Sequence, residues 1–105
     1  MRIMTTYKIR IDDSAESDLR HLFEFLISVM SRDGANRYID MIANEVLSLS
    51  LLADTYSPSH YADIRRYHPQ ARRMVSHNKR WVYVFHIEDD TVVVDRILPS
   101  KLITK

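Results

Sequence analysis

The spacing of apolar residues switches period along the chain, and this limits the fold most. Tyr7, Ile9 and Ile11 alternate with Lys8, Arg10 and Asp12, the period of two of a half-buried strand. Next, Ala15, Leu19, Leu22, Phe23, Leu26 and Met30 recur at helical spacing, which predicts a helix from about Ser14 to Ser31. Asp13 and Glu16 have the spacing of a capping box, with Ser14 as a competing N-cap. Ser31-Arg32-Asp33-Gly34 breaks the pattern, and Asp33 is placed to cap a second helix. That helix carries Ala35, Tyr38, Ile39, Ile42, Val46 and Leu49 on one face and ends near Leu52. So short a connection makes the two helices an antiparallel hairpin.

The period then returns to two. The segment 53–63 is a polar loop with Pro58, and Ile64 to His68 reads as a short strand closed by Pro69-Gln70. Ala71 to His77 is a strand with Asn78-Lys79 as its turn. Arg80 to Ile87, RWVYVFHI, is the strongest strand signal, dense in aromatic and β-branched residues. Glu88-Asp89-Asp90 makes an acidic turn, Thr91 to Leu98 is the last strand, and Pro99 stops it before a tail from Ser100 to Lys105. The expected fold is α+β: an N-terminal strand, a helical hairpin, then an antiparallel meander of three or four strands, with the helices on one face of the sheet.

At 105 residues the expectation is a single domain, 1–105. The absence of cysteine leaves no disulfide framework or thiolate chemistry and fits a reducing cytosol. The start is short and polar, unlike a signal peptide, and either Met1 or Met4 suits as the first residue. No apolar run approaches the roughly 18 residues of a membrane span.

Charge is polarised along the chain. Residues 12–63 hold ten acids and three bases, whereas Ile64 to Ile87 holds six bases and no acid. That asymmetry points to an acidic partner, a nucleic acid or an acidic protein segment. The partner-binding candidates are Arg65, Arg66, Arg72, Arg73, Lys79, Arg80, Arg96 and Lys101. Strand alternation puts Arg72, Met74 and Ser76 on one side and Arg73, Val75 and His77 on the other. With the Val75 side against the helices, Arg72 projects from the open face.

Cleavage of RNA by attack of a 2′-hydroxyl needs a base, an acid and cations around the phosphate. His68, His77, Arg72, Arg73, Lys79 and Arg80 include those chemical types, although a histidine in a basic loop is more often simply solvated. His86, inside the strongest strand, reads as structural, and His21 and His60 as surface residues. No cofactor motif is present: one glycine cannot build a phosphate loop, and no His or Cys spacing suggests a metal. Trp81, Tyr83 and Phe85 share a strand face, which is core more often than a base-stacking platform.

Two stretches, YKIRIDDSAESDLRHLFEFL and ARRMVSHNKRWVYVFHIEDDTVVVDRIL, resemble the RelE/ParE superfamily of bacterial toxins, often labelled plasmid stabilisation proteins. The shared elements are an opening strand, Ala15 and Asp18-Leu19 in the first helix, an Arg-rich strand, an aromatic strand, and a last strand ending Arg96-Ile97-Leu98. The resemblance implies a toxin of a type II toxin–antitoxin pair, held inactive by a cognate antitoxin whose often acidic, partly disordered C-terminal segment wraps around it, and arresting growth when free. RelE-like members cut messenger RNA on the ribosome; ParE-like members block DNA gyrase. Nuclease members commonly carry a Tyr or His just after the last strand, where this chain has Pro99-Ser100-Lys101-Leu102. ParE-like members often carry a His after Arg-Ile-Leu, and Pro99 replaces that too. The missing terminal residue favours the ParE-like mode. The alternatives are a ribosome-dependent endoribonuclease using Arg72, Arg73, His77, Lys79 and Arg80, or an inactive nucleic-acid-binding relative.

Overall fold

A computed structural model describes residues 6–102; the choice between Met1 and Met4 lies outside the described residues. Strand β1 (Lys8–Ile11) leads into helix α1 (Asp13–Val29) and helix α2 (Arg32–Leu47). A single helical turn, α3 (Leu49–Leu52), and a 3₁₀ turn (Ala53–Thr55) follow, then a second short turn, α4 (Ala62–Arg65). Strands β2 (Arg72–Val75), β3 (Trp81–Glu88) and β4 (Thr91–Pro99) close the fold, with a final 3₁₀ turn at Ser100–Leu102. The sheet order is β1-β4-β3-β2. The three late strands are antiparallel neighbours, as expected for a meander, but β1 lies parallel to β4, so the sheet is mixed. A parallel pair needs a long crossover, and the helices supply it.

Both helices begin one or two residues earlier than the capping signals suggest. The cap of α1 is Asp12, whose carboxylate accepts from the Ser14 N–H at 3.2 Å. The cap of α2 is Ser31, whose hydroxyl accepts from the Gly34 N–H at 3.0 Å. In each case an oxygen acceptor lies just before the first helical residue, in extended backbone, where it meets an N–H with no partner inside the helix. Met30 is the C-cap of α1 rather than a core residue, and it is exposed.

The main core lies between the helices and one face of the sheet. Ala15, Leu22 and Leu26 of α1 and Ala35, Ile42 and Val46 of α2 pack there with Tyr83, Phe85, Val92, Val94 and Ile97. Trp81 and Met74 join them, so the aromatic stripe is core. Opposite Val84 and Phe85, β4 carries one extra residue, Asp95, in a bulge. The bulge returns Ile97 to the helix side after Val92 and Val94, correcting an odd spacing that strict alternation would have exposed.

The other face of the sheet is not bare. Ile64, Ala71, Val82, Val84 and Leu98 form a second cluster with Tyr67. The segment expected to be a strand at 64–68 is therefore the end of α4 and its exit. Ile64 is fully buried, and a segment plugging a sheet face needs one apolar anchor rather than an alternating pair of faces.

Candidate functional site

Strand β2 offers one apolar residue to each face, so its own sequence does not decide which face meets the helices. Its partner decides: Met74 stands opposite Tyr83, which is fully buried in the main core. Met74 and Arg72 therefore face the helices, and Val75, at 45 % exposure, faces away. The expected orientation of Arg72 is reversed.

Facing inward, Arg72 is tied to the chain itself. Its Nη1 donates to the Tyr56 carbonyl at 2.7 Å and approaches the Ala53 carbonyl at 3.5 Å. It thus clamps the segment after α3 against the sheet. Nearby, the Tyr7 hydroxyl donates to Asp54 at 2.8 Å, a bond that raises the Tyr7 pKa. The Tyr56 ring meets Phe85 edge-on at 6.0 Å. Arg72 is a structural strut, held through Nη1, and its Nε is buried without a hydrogen-bond partner among the described residues.

Arg96 is committed in a similar way. Beyond Ile11 strand β1 ends, and α1 covers the vacated edge of β4. Asp18 accepts from Arg96 Nε at 2.8 Å, from Arg96 Nη2 at 3.0 Å and from the Ile97 N–H at 2.9 Å. Asp18 is only 16 % exposed and Arg96 32 %. The bidentate bond to Asp18 raises the Arg96 pKa further, so its charge is permanent and locally neutralised. The Asp-Leu of the first helix and the Arg-Ile-Leu of the last strand, far apart in sequence, are one contact in space.

Glu45 of α2 performs a related task at the other end of the hairpin. It accepts from the Tyr83 hydroxyl at 2.7 Å and from the His77 N–H at 2.6 Å. Burial, then the bond to Glu45, pushes the Tyr83 pKa far up, so the phenol stays protonated. The Tyr38 hydroxyl accepts from Trp81 Nε1 at 2.9 Å and from Asn78 at 3.3 Å. These bonds fix the base of the β2–β3 turn onto α2.

The remaining cations fall into two groups. Arg73 points to the face away from α1 and α2, with its guanidinium 5.0 Å from the centre of the Tyr61 ring. Arg65 and Arg66 belong to α4 and its exit on that same face, Arg66 lying over Tyr67 at 5.6 Å. Lys79, Arg80 and Lys101 gather at the opposite corner, where the β2–β3 turn meets the C-terminal 3₁₀ turn. None of these six has an ion pair among the described residues. The eight expected partner-binding residues are thus two internal struts and two separate groups, exposed except for the half-buried Arg73.

Two histidines that sequence reasoning kept apart are stacked. The rings of His68 and His86 are parallel, 3.7 Å between centres. His86 is buried, as its place in β3 suggests, with Nδ1 2.8 Å from Asp95 and Nε2 3.1 Å from Glu88. Burial pushes the Asp95 carboxyl up, and the bond to His86 opposes it. His68 Nδ1 accepts from the Gln70 N–H at 3.0 Å. The stack helps hold the chain after α4 on the sheet. His21 and His60 are exposed, as expected. Among the described residues no cluster of His, Asp and Glu is arranged to hold a metal ion, and no helix is long and apolar enough to cross a membrane.

The sequence reading missed a groove beside the second cationic group. Phe25, 60 % exposed, projects from α1 toward Trp81 and Pro99. Two cavities of about 310 and 420 Å³, beside α1 and the C-terminal end of β4, share these three residues. The available signal was a large aromatic residue off the core stripe of an amphipathic helix.

A family model for the ParE toxin of type II toxin–antitoxin systems, parDE, matches residues 9–101. No curated protein matches the sequence. Among solved structures, a chain of the chromosomal ParDE toxin–antitoxin system from P. aeruginosa superposes with a TM-score of 0.75 at 14 % identity, covering 90 % of this chain and 96 % of that one. A chain of the RelBE2 toxin–antitoxin complex from Mycobacterium tuberculosis superposes at 0.62 and 16 % identity, covering 94 % and 97 %. At these identities the structures show a shared fold, and the family model, matching most of the chain, shows the family. The chain belongs to the ParE toxins of type II toxin–antitoxin systems.

Proposed function

We propose that this toxin acts in the ParE-like manner, by binding DNA gyrase and stopping growth when free, without cutting RNA. A cognate antitoxin, as in the ParDE and RelBE2 complexes, would bind and neutralise it in the cytoplasm. The observation that carries the non-nuclease reading is the division of Arg72 and Arg73. A phosphate-cleaving site needs its cations and its acid and base around one point. Here the two neighbouring arginines face opposite sides of the sheet, and Arg72 is bonded to carbonyls of its own chain. The Arg72, Arg73, His77, Lys79 and Arg80 set therefore lacks a common focus. Ser100 to Lys105 contain no Tyr or His to complete one.

The tests are direct. Expression without antitoxin should arrest bacterial growth, and the purified toxin should inhibit supercoiling by purified gyrase. Primer extension on messenger RNA after induction should show no new codon-associated ends. Cuts within codons together with unimpaired supercoiling would replace this reading by the endoribonuclease one, and growth unaffected by expression would favour an inactive relative.

A further inference from the structure

We propose that the recess between the 55–61 segment and β2 binds a phosphate monoester, with Arg73 as its cation and the hydroxyls of Ser57, Ser59 and Tyr61 as its other donors. This site is separate from the gyrase reading and does not depend on it.

The recess holds about 390 Å³ and is lined by Thr55 to Tyr61 together with Arg73. No carboxylate lines it. Arg73 is half-buried, and its guanidinium has no ion pair or hydrogen bond among the described residues. The Tyr61 ring, 5.0 Å away, holds the cation in place without supplying an opposite charge. Arg72 and Arg96 differ in this respect, since the fold gives one two carbonyls and the other a carboxylate. A cation partly withdrawn from water without a counter-charge is costly, and an anion in the recess would offset that cost.

The walls are in place before a ligand arrives. Arg72 holds the Tyr56 carbonyl at 2.7 Å, and the Ser59 N–H donates to the Ala71 carbonyl at 2.8 Å. The Tyr61 N–H donates to Ser59 Oγ at 3.1 Å, and Pro58 fixes a φ between these ties. Because Ser59 Oγ accepts in that turn, its own O–H is free to donate. The Ser57 and Tyr61 hydroxyls have no hydrogen-bond partner among the described residues. Thr55 is already spent, donating to the Leu52 carbonyl at 2.6 Å. A site fixed in this way loses little freedom when it binds.

The donor set selects the anion. Arg73 offers a planar fork, and the hydroxyls add single donors beside it. A carboxylate has two oxygens and one charge, fewer than this set can serve. A phosphate monoester has three terminal oxygens and up to two charges. A polynucleotide asks for cations along a track, whereas this recess holds one guanidinium. Its volume lies in the range of small-ligand pockets, which leaves room for the organic group that the phosphate esterifies. Binding here implies no cleavage, because the neighbouring cation, Arg72, faces the other side of the sheet.

The test titrates inorganic phosphate and AMP into the full chain, with adenosine as the control, and follows affinity and amide shifts. Saturable binding is expected, with the largest shifts in the 55–61 segment and at Arg73, AMP no weaker than inorganic phosphate, and adenosine unbound. Arg73→Ala should weaken AMP binding at least tenfold, and Arg73→Lys, which keeps the charge and loses the fork, at least threefold. Ser57→Ala, which breaks no described bond, should weaken it about threefold. Lys79→Ala/Arg80→Ala/Lys101→Ala removes three charges elsewhere and should change it less than twofold. Equal losses in Arg73→Ala and that triple variant would mean general attraction to positive charge and would overturn the site. Unchanged affinity in Arg73→Ala or Ser57→Ala, adenosine binding as tightly as AMP, or exclusion of AMP while phosphate binds would also overturn it, as would no saturation by either anion at about 10 mM. A short DNA duplex without terminal phosphates, bound through Arg73 more tightly than AMP, would overturn it in favour of a nucleic-acid backbone.

Discussion

Arg72 and Arg96, at one set of positions, and Lys79, Arg80 and Lys101, at another, all come from the last third of the chain and carry the same formal charge. The fold uses them in opposite ways. Arg72 and Arg96 reach inward to two backbone carbonyls and to Asp18, and hold elements together. Lys79, Arg80 and Lys101 meet no acid among the described residues and line the cavity of about 420 Å³ beside Phe25. The lesson is that a run of positive charge is no surface in itself. Each residue's contribution to partner binding depends on whether the fold has already given it a partner, and strand register and a single bulge make that choice.

The comparison breaks most readily at Asp18. Asp18→Ala leaves a half-buried guanidinium and the Ile97 N–H without their acceptor, and should cost about 2–3 kcal/mol in urea unfolding. A cost under about 0.5 kcal/mol would mean the bonds seen here contribute little. Next, Glu45→Ala removes the acceptor for the buried Tyr83 hydroxyl and the His77 N–H, with an expected loss of about 1.5–2 kcal/mol. Retention of parent stability would argue that water replaces both bonds.

A smaller effect follows from Asp95. Because burial raises its pKa, the folded chain holds that proton more tightly than the unfolded chain. The group therefore favours folding below the ordinary Asp range, and stability declines as pH rises through the raised value. Asp95→Asn cannot ionise, so the difference in unfolding free energy between variant and parent should change across that window and be flat above it. A difference independent of pH would contradict the assignment. Smallest of all, Lys79→Ala/Arg80→Ala/Lys101→Ala should shift stability by no more than about 0.5 kcal/mol, since fully solvated cations contribute little to folding. A loss comparable with that of Asp18→Ala would place these residues among the struts.

Much of this arrangement was legible in the sequence. The helix faces of Ala15, Leu22 and Leu26 and of Ala35, Ile42 and Val46 stood out because each is a long, periodic stripe that only one packing direction satisfies. The aromatic strand β3 was clear for a similar reason. Strand β2 was ambiguous because Met74 and Val75 offer one apolar residue to each face, so its orientation comes from Tyr83 across the ladder. The parallel placement of β1 depends on the path of a crossover that no local pattern records. The Asp95 bulge hid because an inserted residue looks like ordinary alternation until its neighbours are paired. Of the candidate site, the charges were visible and their employment was not: the Asp18–Arg96 contact joins residues from opposite ends of the chain.

Two neighbouring like charges, Arg72 and Arg73, are separated by the face on which they lie into a strut bonded to the chain's own carbonyls and a cation with no ion pair among the described residues. Urea unfolding of Arg72→Ala beside Arg73→Ala tests this separation most directly, since the two differ by one residue in sequence and by a face in space. The expected result is a loss of about 1–2 kcal/mol for Arg72→Ala, which strips the Tyr56 carbonyl of its donor, and less than about 0.5 kcal/mol for Arg73→Ala. Equal losses, or the larger loss at Arg73, would contradict it.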